Sequence, residues 1–234
     1  MLITRPGAAA QDTAARVAAL GFVPILAPLL AIRPLAVRLP AGDRLQAVLL
    51  TSANALPALG AAFHGVRLLA VGDATAARAR AAGFTDVASA GADAAALARL
   101  VARHCTPKGG ALLLPTARRE GMALARRLRD AGFAVQRRAV YAAEPQGKFP
   151  DAANAALAQG TVAAVLFFSP STARGFVRLA RPALLEGCLC AVDALALSPA
   201  VAVPLARLPW RRIRVAARPD QEALLTLLAD PKNE

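Results

Sequence analysis

Residues 2–28 read LITRPGAAAQDTAARVAALGFVPILAP, residues 112–141 read LLLPTARREGMALARRLRDAGFAVQRRAVY, and the two stretches follow one plan. Each has an apolar run, a short loop, an Ala/Arg-rich helical stretch, a Gly-Phe pair and a second extended run. A further pair of similar segments is AVLLTSANALPALGAAF from Ala47 and AVLFFSPSTARGFVRLA from Ala164. Such internal similarity predicts two copies of one α/β module.

Short apolar runs alternate with helical stretches along the rest of the chain. Runs of this kind are typical of strands buried on both faces, so the sequence predicts two α/β domains, each with a parallel sheet flanked by helices. The candidate strands are Leu2-Thr4, Val48-Thr51, Leu68-Val71, Ala111-Leu114, Ala163-Phe168, Leu195-Leu197 and Ile213-Ala216. After most of them, small or polar residues indicate that a helix begins, for example at Thr51-Ser52-Ala53-Asn54.

Extended segments at 28–34 and 140–145 lead onward from the two similar stretches, and we interpret them as a two-stranded linker that crosses between the domains. This interpretation predicts a discontinuous first domain of residues 1–33 and 148–234, an inserted second domain of residues 37–142, and linkers at 34–36 and 143–147.

Hydroxyl side chains follow the candidate strands. In open α/β sheets, ligands bind beyond the carboxyl ends of the strands, where the first N–H groups of helices point at them. The candidate substrate-binding hydroxyls are those of Thr51, Ser52, Thr75, Thr116, Ser169, Ser171 and Thr172. An anionic substrate held in this way needs neither a metal nor a cofactor. For each hydroxyl, the alternative is a helix cap.

The composition narrows the function classes. The net charge of +13 favours an anionic partner, either a nucleic acid or a carboxylate or phosphate ligand, although an arginine-rich proteome would give the same charge. Aromatic residues make up only 4% of the chain, which argues against stacking on nucleic acid. Three cysteines and two histidines do not form a metal-binding pattern, and no Gly-rich nucleotide motif or nucleophile-base pair occurs.

Membrane-spanning runs, signal peptides and coiled-coil heptads are the sequence features from which we predict the location and the oligomeric state. The chain is 56% hydrophobic, but no uninterrupted apolar run is long enough to span a membrane, and no signal peptide precedes the first strand. We therefore expect a cytoplasmic protein without a membrane partner. No coiled-coil heptads occur, so a monomer is expected.

Tyr141 is the only tyrosine of the chain, and it lies on the second crossing segment. In that position a phenol can act as a weak acid or as a hydrogen-bond donor. The alternative is a tyrosine whose ring packs in the core and whose hydroxyl lies at the surface.

Six motifs occur in order along the chain. They are LITRP from Leu2, LLTSANAL from Leu49, AVGDATAARARAAGF from Ala70, LLLPTARREG from Leu112, AVYAAEP from Ala139 and FFSPSTARGF from Phe167. Together they resemble the uroporphyrinogen-III synthase family over essentially the whole chain. The resemblance implies two similar α/β domains joined by a two-stranded ladder. It also implies that hydroxymethylbilane binds in the cleft between them through its acetate and propionate carboxylates.

The same resemblance implies a reaction without a cofactor. Hydroxymethylbilane loses its hydroxyl as water, the resulting azafulvene is attacked by the substituted carbon of the terminal pyrrole, and the spiro intermediate fragments and closes with that pyrrole inverted. In this family's pattern Tyr141 helps the hydroxyl to leave, Thr75 is the cleft threonine, and Ser52 and Ser169 open the two serine loops. Arg5 matches the opening arginine, a substrate-binding candidate.

The chain departs from the family pattern at LSPAVA from Leu197, where the family commonly has an IGPTTA-like turn. Ser198 stands for the glycine, and Ala200 and Val201 stand for the threonines. Ser198 and backbone N–H groups would then have to bind the substrate on that side. A non-catalytic binding protein for an anionic ligand on the same scaffold is the alternative function.

Overall fold

A computed structural model describes residues 1–91, 93–180 and 187–229. The chain divides into two compact units. Unit 1 consists of Met1–Ala31 and Glu144–Glu234, and unit 2 consists of Ile32–Ala143.

Strands and helices alternate through most of both units. In chain order the strands are β1 Leu2–Ile3, β2 Ile25–Leu26, β3 Leu30–Pro34, β4 Leu45–Leu50, β5 Leu68–Ala70, β6 Val87–Ser89, β7 Ala111–Ala117, β8 Val135–Pro145, β9 Ala164–Phe167, β10 Asp193–Ala196 and β11 Arg212–Val215. The α-helices are α1 Ala8–Ala19, α2 Asp73–Ala81, α3 Ala94–His104, α4 Met122–Asp130, α5 Asp151–Ala158, α6 Pro170–Ala180, α7 Pro199–Leu205 and α8 Gln221–Ala229. Short 3-10 helices lie at Gly42–Arg44, Ala53–Ala58, Ala61–Phe63 and Gly187–Ala191.

Unit 1 contains a sheet of order β11-β10-β9-β1-β2 in which neighbouring strands are parallel. The apolar core on one face of this sheet includes residues of α1 and α8, and the core on the other face includes residues of α5, α6 and α7. Phe167, Phe176 and Trp210 form an aromatic group in the second core, with ring centroids 5.2–5.8 Å apart. Burial on both faces explains the continuous apolar sequence of β9.

Unit 2 contains a sheet of order β3-β8-β7-β4-β5-β6, and β4 to β8 form its parallel part. Residues of α3 and α4 cover one face. The other face is covered by residues of α2 and of the 3-10 helices at Ala53–Ala58 and Ala61–Phe63. The predicted fold class, parallel sheets flanked by helices, is confirmed.

The crossing segments are the neighbouring strands β3 and β8. The Leu35 N–H donates to the Val140 carbonyl at 2.9 Å, and the Gln146 N–H donates to the Leu29 carbonyl, also at 2.9 Å. The segments therefore run antiparallel to each other. The chain leaves unit 1 along β3 and returns to it along β8.

Two local predictions were wrong. The helix expected after Thr51-Ser52 is not an α-helix but the two 3-10 helices Ala53–Ala58 and Ala61–Phe63, because Pro57 lacks an N–H and Gly60 separates the two. Strand β6 was missing from the predicted strands. Its three residues are only partly buried and lie at the edge of the sheet, so they do not form a buried apolar run.

Within the described ranges, no helix is both long enough and apolar enough to cross a membrane.

Candidate functional site

The carboxyl edge of the unit 2 sheet has a topological switch point. Strand β4 lies between β5 and β7, and the chain goes from β4 to β5 on one side but from β7 to β8 on the other. Such a reversal opens a crevice between the two loops, where open α/β sheets bind their ligands. Thr51 and Ser52 follow β4, and Thr116 lies near the end of β7. Topology thus brings these three predicted residues to one crevice.

Tyr141 lies beside this crevice on β8, opposite Ala117 of β7. Its side chain is buried, with 4% of the residue exposed, and it belongs to the core that contains Leu50 and Ala55. Burial raises the pKa of Tyr141 above its ordinary value, and the nearby Glu120 carboxylate adds to this rise. Hydrogen bonding with nearby side chains opposes it only in part. The phenol therefore keeps its proton at neutral pH and can donate it.

The Ser52 and Asn54 side chains lie near the Tyr141 hydroxyl, and their interaction with it lowers the pKa of Tyr141 in part. Ser52 also caps the 3-10 helix Ala53–Ala58, because its Oγ accepts a hydrogen bond from the Asn54 N–H at 3.3 Å. This cap holds the Asn54 backbone close to Ser52, within the turn that lies near the phenol. Ser52 and Tyr141 were named as candidates from the sequence, but Asn54 was not. The Ser-Ala-Asn spacing is typical of a capped turn and so indicates the position of Asn54 in the turn, but it does not indicate a contact with Tyr141.

Thr75 lies in the first turn of α2, which follows β5 at the same edge of the sheet. The N-cap of this helix is Gly72, which offers no side-chain cap, so Thr75 is not a capping residue. Thr75 is half-buried, as is Thr51. Thr116, by contrast, is buried, and its Oγ1 has no hydrogen-bond partner in the described part of the chain.

Unit 1 has a switch point of its own. Strand β1 lies between β2 and β9, and the chain goes from β1 to β2 on one side and from β9 to β10 on the other. Arg5 follows β1, and Ser169 follows β9. Ser198 follows β10, the next strand of the sheet, and Ser171 lies in the first turn of α6. These four candidate residues of unit 1 therefore lie at the carboxyl ends of its strands.

Arg5 is held by contacts within unit 1. Its Nη1 donates to Gln221 Oε1 at 2.8 Å and to Thr13 Oγ1 at 3.3 Å. Its guanidinium also lies over the Phe168 ring, 4.3 Å from the centroid. These contacts orient the cation and occupy part of its donor capacity.

The serine loop after β9 serves the start of α6. Ser169 Oγ accepts a hydrogen bond from the Thr172 N–H at 3.2 Å, and Thr172 Oγ1 donates to the Ser169 carbonyl at 2.8 Å. Ser169 and the buried Thr172 therefore contribute to the cap of α6. This is the alternative role that the sequence analysis gave for each hydroxyl. Ser171 is exposed and accepts a weak hydrogen bond from Arg174 at 3.4 Å.

Ser198 is the N-cap residue of α7, but its side chain makes no capping hydrogen bond. It is half-buried, Pro199 begins the helix, and Val201 is buried against the core. The segment that departs from the family pattern thus has the ordinary form of a loop that leads into a helix. Pro199 has no N–H and the Val201 N–H donates to the Ser198 carbonyl at 3.0 Å, so the Ser198 hydroxyl and the Ala200 N–H are the polar donors of this loop.

The two edges offer hydroxyls, helix N-termini and one buried phenol. The first N–H groups of α2 and α4 lack side-chain caps and can bind an anion. The first turn of α4 has no acidic residue, whereas that of α2 contains Asp73. Among the described residues, no group of three or more His, Cys, Asp or Glu side chains could hold a metal ion.

Comparison with known proteins gives consistent matches. A family model described as uroporphyrinogen-III synthase HemD matches residues 11–226. The uroporphyrinogen-III synthetase of Helicobacter pylori has a similar structure, with a TM-score of 0.64 and 17% identity over 97% of both chains. A mutant uroporphyrinogen III synthase of Thermus thermophilus has a TM-score of 0.52 and 21% identity over 97% of this chain and 96% of that one. At these identities the two structures show the fold alone. A search of curated proteins finds no significant match.

Proposed function

This chain belongs to the uroporphyrinogen-III synthase family, and from this membership we propose how its own residues close hydroxymethylbilane to uroporphyrinogen III, with loss of water and inversion of the last pyrrole. The family match over residues 11–226 carries the assignment of the reaction, which belongs to tetrapyrrole synthesis. We propose the roles of individual residues from the geometry of the carboxyl edges of the two sheets.

Tyr141 is the proton donor for the departure of the hydroxyl. The phenol is buried, protonated at neutral pH and close to the Ser52 and Asn54 side chains, at the carboxyl edge of the unit 2 sheet. Its proton goes to the hydroxymethyl oxygen and the carbon-oxygen bond breaks. Water departs, and the substrate becomes a cationic azafulvene. The tyrosinate formed in this step recovers a proton when the last ring carbon loses one, so the overall change is the loss of one water molecule. The raised pKa of Tyr141 favours this recovery.

Ser52 and Asn54 act as positioning residues for the phenol. The Ser52 hydroxyl accepts a hydrogen bond from the Asn54 backbone N–H, and it also lies near the phenol. Asn54 belongs to the same capped turn. Together they limit the rotation of the Tyr141 hydroxyl. A proton donor fixed in this way loses less entropy in the transition state.

The steps after water loss need a folded substrate and a shielded cation more than further acid or base groups. The substituted carbon of the terminal pyrrole attacks the azafulvene, and the spiro intermediate then fragments and closes. A substrate carboxylate is suited to the uncapped N-terminus of α2, where Thr75 adds a hydroxyl. The half-buried Ser198 hydroxyl is a further binding candidate. Thr51, Ser169 and Ser171 lie at the same two edges and are further binding candidates. Arg5 contributes positive charge from its anchored position.

This mechanism makes the protein a hydro-lyase that needs neither a metal nor an organic cofactor. Its partner is the linear tetrapyrrole, and the mechanism requires no nucleic acid and no membrane. We expect it to act in the cytoplasm as a monomer. Size-exclusion chromatography with light scattering would show one chain per particle.

Genetic complementation tests the function in cells. A bacterial strain that lacks its uroporphyrinogen-III synthase depends on supplied haem, and expression of this chain should restore growth without haem. A control that expresses the Tyr141→Phe variant at an equal level should restore growth slowly or not at all. Failure of the wild-type chain, with the protein present in soluble form, would contradict the proposal.

A further inference from the structure

Thr116 differs from the other fully buried threonines of the described chain. Its residue is 1% exposed, and its Oγ1 has no hydrogen-bond partner among the described residues. The others donate to backbone carbonyls: Thr4 to Leu166 at 2.7 Å, Thr13 to Ala9 at 2.9 Å and Thr172 to Ser169 at 2.8 Å. Because a buried hydroxyl without a partner destabilises a fold, this exception requires an explanation.

The Thr116 hydroxyl lies against the start of α4. Gly121, the N-cap residue of this helix, has a φ of 77°, and a Cβ at that residue would lie 3.1 Å from Thr116 Oγ1. Glycine is therefore favoured there both for its backbone conformation and for its lack of a side chain. As a result, no side chain separates the Thr116 hydroxyl from the first turn of α4.

The first turn of α4 is open to an anion. The helix has nine residues, no side-chain cap and no acidic residue in its first turn. Met122 and Ala123 are exposed, so the free N–H groups of this turn are at the surface. The positive end of the helix dipole adds to their attraction for an anion.

The turn that precedes α4 connects this helix to the Tyr141 strand. The Arg118 N–H donates to the Tyr141 carbonyl at 2.9 Å, and the Glu120 N–H donates to the Ala117 carbonyl at 3.1 Å. Arg118 and Arg119 are exposed cations of this turn, and Glu120 is its one carboxylate. The start of α4 and the phenol therefore belong to the same sheet edge, with a net positive turn between them.

We propose that the Thr116 hydroxyl and the first N–H groups of α4 bind one carboxylate of the linear tetrapyrrole. The hydroxyl donates to one carboxylate oxygen, and the N–H groups of Met122 and Ala123 donate to the other. A small shift of Gly121 gives the ligand access to the hydroxyl, and the exposed Met122 side chain contacts the attached pyrrole. This inference rests on the proposed function, because it names a contact to the same substrate.

The Thr116→Val variant tests the hydroxyl at nearly constant side-chain volume. Because the hydroxyl has no hydrogen-bond partner among the described residues, this variant should resist urea at least as well as the wild type. The matched control, Thr4→Val, removes a hydroxyl that is bonded within the fold and should lower the urea midpoint. In steady-state kinetics, Thr116→Val should raise KM for hydroxymethylbilane roughly tenfold with little change in kcat. Thr116→Ser should restore KM, and an unchanged KM in Thr116→Val would overturn the subsite.

A binding measurement separates failure of the subsite from failure of the proposed function. Amide NMR of the whole chain, titrated with a pyrrole that carries one acetate and one propionate arm, should show saturable shifts of the Met122 and Ala123 N–H signals. The dissociation constant should be several-fold weaker in Thr116→Val than in Thr116→Ser. If these shifts occur but the wild type forms no cyclic product, the subsite stands and the function is wrong. Turnover without these shifts would instead overturn the subsite alone.

Discussion

Replacing Tyr141 by Phe removes only the phenol oxygen, so it should lower the turnover rate far more than the stability of the fold. The ring stays in the core that contains Leu50 and Ala55, so its apolar packing is kept. Only the hydroxyl is lost, together with its interaction with the nearby Ser52 and Asn54 side chains. Both partner side chains are half-buried and can be solvated, so we expect the free energy of unfolding to fall by only about 1 kcal/mol.

The effect of this substitution on turnover should be much larger. A positioned general acid typically contributes 10²–10⁴ in rate, so kcat should fall about 100-fold or more, which corresponds to roughly 2.7 kcal/mol of transition-state stabilisation. The assay follows the initial rate of uroporphyrinogen III formation from freshly generated hydroxymethylbilane, corrected for spontaneous ring closure. Urea denaturation of the same preparation measures stability.

Two controls sharpen this experiment. Ser52→Ala removes a positioning partner but keeps the phenol, so its kcat should lie between those of the wild type and Tyr141→Phe. In the wild type, the raised pKa of Tyr141 means that kcat should not decline through phenol ionisation as the pH approaches about 10, the ordinary value. An unchanged kcat in Tyr141→Phe, with a normally folded protein, would refute a catalytic phenol.

Three further variants test separate parts of the account. Thr75→Val should raise KM for hydroxymethylbilane several-fold without loss of stability, because Gly72 and not Thr75 caps α2; unaltered kinetics would exclude a substrate contact. Ser169→Ala should cost about 1 kcal/mol in urea unfolding, the usual value of an N-cap, and equal stability would show that the cap of α6 is dispensable. Asp193→Asn should lower the free energy of unfolding by about 2 kcal/mol at pH 7, because the buried carboxylate pairs in bidentate fashion with a half-exposed Arg211. Hydrogen bonding to Arg211 lowers the pKa of Asp193, so this stabilisation is present above the unfolded-state pKa of about 4 and is lost as the pH falls through the folded-state pKa. The stability difference between wild type and Asp193→Asn should thus shrink at pH 3, and a constant difference would refute the ion-pair explanation.

The parallel strands could be predicted because they are buried on both faces. The apolar runs that contain β7 and β9 lie between helical layers in the structure, so their sequences contain little that alternates with polar residues. Edge strand β6 escaped prediction because its partial burial leaves no such pattern. The loop after β4 was interpreted as a helix because its capping signal was clear, but Pro57 limited it to a 3-10 helix.

The candidate site residues were predicted from their positions after strands. Such a position places the backbone at an edge of the sheet, but it does not give the contacts of the side chain. Arg5 and Gln221 are 216 positions apart in the sequence, so their hydrogen bond could not be inferred from local pattern. The same limit applied to Asn54, whose role depends on its contact with Tyr141. Thr116 was predicted as a substrate-binding residue, but its missing partner and its contact with Gly121 require three-dimensional packing to be known.

The most direct test of the central claim is the isomer composition of the product. Purified, metal-free protein is given freshly generated hydroxymethylbilane, and the porphyrins obtained after oxidation are separated by isomer. The account predicts type III uroporphyrin well above the type I that forms by spontaneous closure. Type I alone, at the rate seen without protein, would contradict it.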